Sequence, residues 1–271
     1  MFVIFLRSLI FNVLFYVVLV GWVLAATVAA LFSGRAVVKV AKMWGQNSIW
    51  LMRLICGTKV EFRGLEKIPQ GPLIVAPKHQ SMWETFALLQ FFDEPLYILK
   101  RELTWLPVFG QLLLRGGMIA INRAAGVKTL VEMARRAREE VRRGRQLIIF
   151  PEGTRRPVDA PPNYKSGVGQ IYVDCGVPCL PVALNAGLFW PRRQFMRYPG
   201  TIVVEFLDPL PAGLDRREFL RQLSDVVETA TNRLVAEARQ EQAQLFGRVP
   251  SAVPPQAEPA PKPESEQVGN P

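Results

Sequence analysis

The N-terminal part of the chain contains a long uncharged segment that restricts where the chain can fold. No Asp, Glu, Lys or Arg occurs from Ser8 to Phe32. A helix of this length, at about 1.5 Å per residue, exceeds the ~30 Å hydrocarbon core of a bilayer. The segment is also longer than the ~7–15 apolar residues of a cleaved signal peptide, which is the alternative interpretation. We therefore predict that residues 1–34 form a hydrophobic membrane anchor helix, which either spans the bilayer or dips into it.

Basic residues are distributed unequally around this segment. Only Arg7 precedes it, whereas several basic residues follow it closely: Arg35, Lys39, Lys42, Arg53 and Lys59. The positive-inside rule then predicts that the downstream chain lies in the cytoplasm. Residues 35–56 combine such charges with Val, Met, Trp and Leu, a pattern typical of a basic amphipathic helix at the membrane interface. An ordinary helix packed on the globular domain is the alternative.

From residue 57 onward, short apolar runs alternate with helical patterns. Strands are predicted at 59–62, 72–76, 96–100, 118–122, 146–150, 177–184 and 202–206, and helices at 81–92, 127–143 and 215–244. This alternation is typical of an α/β fold, so we predict a mixed, largely parallel sheet flanked by helices across residues 57–247. The tail, residues 248–271, is rich in Pro, Ala and Glu and has no aromatic residue, and we expect it to be disordered.

The composition restricts the partners and cofactors. The net charge of +10 fits an anionic lipid surface, nucleic acid or an acidic protein. The chain has no zinc-finger spacing and no aromatic RNA-binding motif, so nucleic acid is not expected. With 3 Cys and 1 His, the sequence argues against a structural zinc site. We expect no metal and no organic cofactor.

The single histidine, His79, is the one candidate for imidazole chemistry near neutral pH. Glu84 follows five residues later, and the two side chains would meet if His79 lies in the turn before a helix and Glu84 in its first turn. Two alternatives do not involve catalysis. His79 could be a hydrogen-bonded interior histidine, and the segment from Ser81 to Glu84 also fits a helix capping box.

Three further segments follow His79 in a fixed order. They are Gly117 to Arg123, Phe150 to Arg155, and the proline-containing apolar strand Val177 to Val182. Together with the first segment they resemble the glycerolipid acyltransferase family, in particular the bacterial 1-acyl-sn-glycerol-3-phosphate (lysophosphatidic acid) acyltransferases. The signature of that family is His-x4-Asp, Gly-x-x-Phe-Ile-x-Arg, Phe-Pro-Glu-Gly-Thr-Arg-Ser and a proline-containing strand. The resemblance extends over residues 57 to 210.

The chain departs from this signature at a few positions. Glu84 replaces Asp, Lys78 stands where the family usually has Asn, Ala120 replaces a bulky apolar residue, and Arg156 replaces the final Ser. The charge of Lys78, next to His79, is expected to disfavour the protonated imidazole. The changes at positions 78 and 84 leave the identity of the acceptor lipid open.

The resemblance implies an enzyme whose catalytic domain spans residues 57–247. It would transfer an acyl chain from acyl-CoA or acyl-carrier protein to the sn-2 hydroxyl of lysophosphatidic acid, giving phosphatidic acid for phospholipid synthesis at the cytoplasmic face of the bacterial inner membrane. His79 would be the general base and Glu84 its orienting acid. The resemblance implies that the acceptor is bound by the following residues: Arg123, Glu152, Gly153, Thr154, Arg155 and Lys165.

Three alternatives remain at this point. The acceptor could be another lyso-lipid, such as lyso-ornithine lipid, although two arginines favour a phosphate. A lipid hydrolase could use His79 and Glu84 to activate water, but the chain lacks the Gly-x-Ser-x-Gly nucleophile motif. A membrane-anchored binding protein without catalysis would not require the His79–Glu84 pair.

Overall fold

The computed structural model describes residues 1–122 and 126–247, with the backbone alone for 126–130. Arg123 and the tail at 248–271 lie outside the described residues. Within them, seven strands form one sheet in the order β1-β7-β6-β2-β5-β3-β4. The strands are β1 (Thr58–Arg63), β2 (Leu73–Pro77), β3 (Pro95–Lys100), β4 (Ile119–Ile121), β5 (Gln146–Ile148), β6 (Cys179–Leu184) and β7 (Gly200–Phe206). All neighbours are parallel except β6 and β7, which confirms the predicted mixed, largely parallel sheet.

Helices cover both faces of this sheet. They are α1 (Phe2–Phe32), α2 (Gly34–Cys56), α3 (Glu84–Ala87), α4 (Phe109–Arg115), α5 (Gly126–Arg142), α6 (Ser166–Cys175) and α7 (Arg216–Phe246). Asp215 begins α7 as predicted, because its carboxylate accepts the backbone N–H groups of Arg217 and Glu218. The sequence patterns did not predict the short helices α4 and α6.

The predicted helix at 81–92 was wrong in extent. Helix α3 begins only at Glu84, and after a single turn the chain continues as a 3-10 helix over Leu88–Phe91. The residues before Glu84 form a turn in which the Ser81 hydroxyl accepts the backbone N–H of Trp83 at 3.1 Å. This turn leaves the segment after β2 free to bend around the Glu84 side chain.

Strand β2 lies in the middle of the sheet and is buried on both faces. Leu73 and Val75 point into the core layer that contains α2 and α3, whereas Ile74 and Ala76 point into the layer beneath α5, α6 and α7. Successive side chains of a strand alternate between faces, which explains why this strand is a continuous apolar run. The carboxyl end of β2 therefore delivers Lys78 and His79 to the edge of a fully packed sheet.

Helix α1 packs along the α/β domain through one side of its surface and leaves the rest exposed. Phe11 and Phe15 are buried, and each ring meets Trp190 edge-on at 5.3 Å between centroids. The opposite side exposes large apolar residues, among them Val17 and Leu24 at 62% and 63% exposure. Among the described residues, α1 is the helix that has the length and hydropathy needed to cross a membrane. This uncovered apolar surface indicates membrane association.

Helix α2 packs against both α1 and the catalytic domain. It buries Leu51, Met52 and Cys56 in the core, which is the packing expected of the alternative interpretation of residues 35–56. Trp50 and Leu54 remain exposed on its outer side, at 58% and 65%. The helix therefore has one face in the core and a second apolar patch directed outward.

Gly45 on α2 allows the close approach to α3, and this contact can be tested. An added Cβ at Gly45 would lie 2.7 Å from the carbonyl oxygen of Phe86, whereas one at Gly21 on α1 would meet nothing within 4 Å. We expect Gly45→Ala to lower the free energy of unfolding by about 1–3 kcal/mol because of overpacking. The matched control Gly21→Ala should be neutral or stabilising by up to about 1 kcal/mol. Thermal unfolding in detergent measures both, and equal stabilities of the two variants would contradict this docking.

Candidate active site

One carboxylate oxygen organises the segment that follows β2. Oε1 of Glu84 lies 2.9 Å from Nδ1 of His79 and accepts the backbone N–H groups of Gln80 at 2.8 Å and Ser81 at 2.7 Å. The Glu84 side chain is fully buried, and that of His79 is 12% exposed. The predicted pairing of His79 with Glu84 is therefore present, with the histidine in the turn before the helix.

This arrangement assigns the two ring nitrogens of His79 to different tasks. Oε1 of Glu84 accepts hydrogen bonds from two backbone N–H groups, so it also acts as the acceptor towards His79. The hydrogen in this third contact therefore lies on Nδ1 of His79. The imidazole also stacks on the ring of Phe150, with 3.7 Å between centroids and 16° between planes. The ring is thus fixed by the hydrogen bond at Nδ1 and by stacking on Phe150. Nε2 is the nitrogen that remains to contact a substrate.

The capping interpretation of Glu84 is correct only in part. Glu84 accepts the backbone N–H of Ser81, as the acid of a capping box does, and the Ser81 hydroxyl accepts that of Trp83. The N-cap of α3, however, is Trp83, which makes no side-chain cap hydrogen bond, so Ser81 does not cap this helix. The same carboxylate oxygen binds the imidazole. The backbone N–H groups of Gln80 and Ser81 hold the Glu84 carboxylate in the position from which it can orient His79.

The turn after β5 lies against His79. Gly153 adopts a φ of 67°, a left-handed conformation that favours glycine, and its N–H donates to the carbonyl of Phe150 at 2.9 Å. The backbone N–H of Arg156 donates to the carbonyl of His79 at 2.8 Å. The motif from Phe150 to Arg155 and the segment after β2 therefore form one hydrogen-bonded unit.

A largely buried charge network joins two segments, the one around His79 and the one from Phe150 to Arg155, to helix α7. The ammonium group of Lys78, which is 1% exposed, lies 3.0 Å from Oε1 of Glu152 and 2.7 Å from Oε1 of Glu228. The hydroxyl of Tyr164 donates to the same Glu228 oxygen at 2.9 Å. Burial raises the pKa of Glu152 above its usual value, while the charge of Lys78 and its hydrogen bond act in the opposite direction. Two carboxylates thus pair with the single charge of Lys78, and its expected effect on His79 stays a prediction.

A cavity of about 510 Å³ opens beside His79. Much of its wall is apolar, formed by residues of the sheet and of the two neighbouring helices: Ile98, Ile121, Met133, Ile149, Phe150 and Val168. The polar part of the wall comes from Asn122, Glu152, Thr154 and Lys165. Such a wall accommodates a hydrocarbon chain next to a small number of orienting polar groups.

The structure brings together most of the substrate-binding residues predicted from the sequence. Glu152, Gly153, Thr154 and Lys165 line the cavity with His79. Arg155 is not part of the cavity wall, and its backbone carbonyl accepts Nη1 of Arg192 at 2.7 Å. Arg123 lies outside the described residues.

Three residues at this site were not identified from the sequence. Gln80 is buried between the two catalytic candidates, and its Oε1 accepts the backbone N–H of Gly187 at 3.0 Å. Its position inside the His79–Glu84 segment could have drawn attention to it. Glu228 and Arg192 belong to segments distant in sequence and match no local motif.

Comparison with known proteins agrees with this geometry. Residues 59–185 match the family model described as Acyltransferase. The 1-acyl-sn-glycerol-3-phosphate acyltransferase of Pseudomonas aeruginosa is 36% identical over 248 residues, which cover 89% of this chain and 96% of that protein. The lyso-ornithine lipid O-acyltransferase of the same organism is 28% identical over 199 residues, covering 67% of this chain and 76% of the relative.

A solved structure shares the fold. The crystal structure of the 1-acyl-sn-glycerophosphate (LPA) acyltransferase PlsC from Thermotoga maritima superposes with a TM-score of 0.70 at 21% identity. The match covers 85% of this chain and 98% of that one. With the fold shared and a relative aligned over nearly its full length, the chain belongs to the acyltransferase family that includes the 1-acyl-sn-glycerol-3-phosphate acyltransferases.

Proposed function

We propose that this enzyme transfers an acyl chain from acyl-CoA or acyl-carrier protein to the sn-2 hydroxyl of lysophosphatidic acid, giving phosphatidic acid for phospholipid synthesis. The observation that carries the proposal is the His79–Glu84 pair beside a largely apolar cavity. The name of the 36% identical relative supports the choice of acceptor. The basic residues after α1 favour a site on the cytoplasmic face of the bacterial inner membrane.

In the proposed reaction, Nε2 of His79 takes the proton from the acceptor hydroxyl while its oxygen attacks the thioester carbonyl. The carbonyl becomes a tetrahedral oxyanion, and its collapse breaks the carbon–sulfur bond. The imidazolium then returns its proton to the thiolate, so that the products are an ester and a thiol. Glu84 holds Nδ1–H throughout and stabilises the imidazolium, and no acyl-enzyme is required.

The acceptor and the acyl chain need different surroundings. The apolar cavity wall accommodates the acyl chain, and Lys165 on the same wall supplies positive charge for the acceptor phosphate. The family resemblance adds Arg123 and Arg155 as further cations for this phosphate. Glu152, Gly153 and Thr154 would contact the glycerol part beside His79. The exposed apolar surface of α1 would keep this site at the headgroup plane, where a single-chain lipid need not leave the bilayer.

A second acceptor class is favoured by one specific observation. A relative with 28% identity is a lyso-ornithine lipid O-acyltransferase, so a related sequence acts on another lyso-lipid. An acceptor panel separates the candidates: purified enzyme in detergent receives labelled acyl donor with lysophosphatidic acid, lyso-ornithine lipid or water alone. We expect phosphatidic acid as the main product. Selective acylation of lyso-ornithine lipid, or release of free fatty acid, would contradict the proposal.

Substitution can separate the catalytic role of Glu84 from its structural role, which is to accept the backbone N–H groups of the turn before α3. Glu84→Gln retains an oxygen that can accept the N–H groups of Gln80 and Ser81, but it lacks the negative charge that stabilises the imidazolium. We expect kcat to fall by roughly 10²–10⁴-fold with little change in thermal stability, and His79→Ala to be at least as impaired. Steady-state kinetics and melting curves of the same samples provide the measurement. Near-normal kcat in His79→Ala would exclude this mechanism.

The buried network around Lys78 generates a prediction about stability and pH. Lys78→Met leaves the buried Glu152 and the half-buried Glu228 without their cation, which should cost about 3–5 kcal/mol. Without the cation the pKa of Glu152 rises further above its unfolded value. The folded variant then retains a proton that unfolding releases, and its stability falls as pH rises.

Denaturant unfolding at several pH values checks this prediction. The deficit of Lys78→Met should be larger at alkaline than at acidic pH, and a second change, Glu228→Gln, should recover part of it. Lys67→Met is the matched control, because Lys67 pairs at 3.1 Å with Asp208, which is 86% exposed, and should cost less than about 1 kcal/mol. A deficit that does not depend on pH would argue against a charge imbalance.

A further inference from the structure

Arginines gather on the outer side of the turn that contacts His79. Arg192 donates Nη1–H to the carbonyl of Arg155 at 2.7 Å, and Arg155 directly precedes Arg156, whose backbone N–H donates to the carbonyl of His79. Arg193 follows Arg192 in the same turn. A short hydrogen-bonded path therefore joins the guanidinium of Arg192 to the candidate base.

The charges of this cluster are not balanced by the carboxylates around it. Among the described residues, Arg155, Arg192 and Arg193 form no ion pair, and the nearby Asp159 pairs instead with Arg239 at 2.6 Å. Burial together with the positive charges of Arg193, Arg155 and Arg156 lowers the pKa of Arg192. Crowding of like charges costs free energy, which an anion bound between them would recover.

Two details of Arg192 and Arg193 also require an explanation. Nε of Arg192 is buried and has no hydrogen-bond partner among the described residues. Buried donors are normally satisfied, and each exception calls for an account. Arg193 has a φ of 57°, a left-handed conformation that is uncommon outside glycine and that is found at ligand-binding sites.

The loop that carries these arginines is attached to α1. Ser8 accepts the backbone N–H of Arg197 at 2.8 Å, and the side-chain amide of Asn12 donates to the carbonyl of Phe195 at 2.9 Å. Phe5 packs against the ring of Phe195 at 5.4 Å between centroids. The arginine turn is therefore fixed to the helix whose outer surface is apolar, and an anion bound there would lie near the membrane plane.

We propose that Arg192 and Arg193 extend the phosphate-binding role proposed above for Arg155, and form with it a subsite whose arginines do not line the cavity. The inference rests on the proposed function, in which the donor carries phosphate whatever the acceptor. A guanidinium offers several N–H groups to a phosphate, and Arg192 uses Nη1 on the Arg155 carbonyl, which leaves Nη2 for an anion. The attachment to α1 favours the phosphate of the lipid acceptor over that of the donor.

The test compares Arg192→Met, Arg192→Lys and the control Arg217→Met, which removes an equal charge from an exposed position at the start of α7. KM and kcat are measured separately for lysophosphatidic acid, for its phosphate-free analogue monoacylglycerol, and for acyl-CoA. We expect Arg192→Met to raise the KM for lysophosphatidic acid by roughly ten- to a hundredfold, with kcat little changed. Arg192→Lys should recover part of this loss, and monoacylglycerol should show no difference between variant and wild type.

Each outcome decides between defined possibilities. If Arg192→Met raises the KM for acyl-CoA alone, the arginines do bind phosphate, but it is the phosphate of the donor and not that of the acceptor. Unchanged KM values for every phosphate-bearing substrate, or a fall of kcat alone together with lower thermal stability, would overturn the subsite, because Arg192 would then only support the Arg155 carbonyl. If the wild-type enzyme does not acylate lysophosphatidic acid, the proposed acceptor fails, and the acyl-CoA measurements still test the subsite.

Discussion

The candidate active site is organised by a single oxygen, Oε1 of Glu84, to which the imidazole of His79 and two consecutive backbone N–H groups donate. All three donors lie in the segment that leaves the central strand β2, so the carboxylate fixes the path of the backbone and the orientation of the ring together. Glutamate is one methylene longer than the aspartate of the family signature. The extra reach fits a helix that begins only at Glu84 and leaves a turn between the two side chains.

The cations around this oxygen differ in whether a carboxylate of the protein pairs with them. Lys78 pairs inside the protein with Glu152 and with Glu228 of α7. These ion pairs connect the end of the central strand to α7. Arg155 and Arg192 have no carboxylate partner among the described residues, and Arg192 lies on the loop that α1 holds. The paired Lys78 supports the structure, whereas the arginines without a carboxylate partner are the ones that we propose bind a substrate phosphate.

The sequence predicted the sheet and the His79–Glu84 pair well because both depend on local patterns. A strand buried on both faces must be a short apolar run, as at β2, and a spacing of five residues restricts how a turn can bring two side chains together. Contacts that depend on strand order could not be predicted. Glu228 meets Lys78 across 150 residues, and Arg192 meets Arg155 across 37. The two carboxylates that pair with Lys78 are among these contacts, and neither matches a local pattern around position 78.

The central claim is that Glu84 holds the His79 proton on Nδ1 and leaves Nε2 available as the base. Because the chain has 1 His, nitrogen NMR of protein labelled with 15N-histidine reports on this ring alone. The account predicts, for the neutral ring, one tautomer with the proton on Nδ1, which Glu84→Gln disturbs while the fold is retained. A neutral ring protonated on Nε2, or a tautomer mixture that Glu84→Gln leaves unchanged, would contradict it.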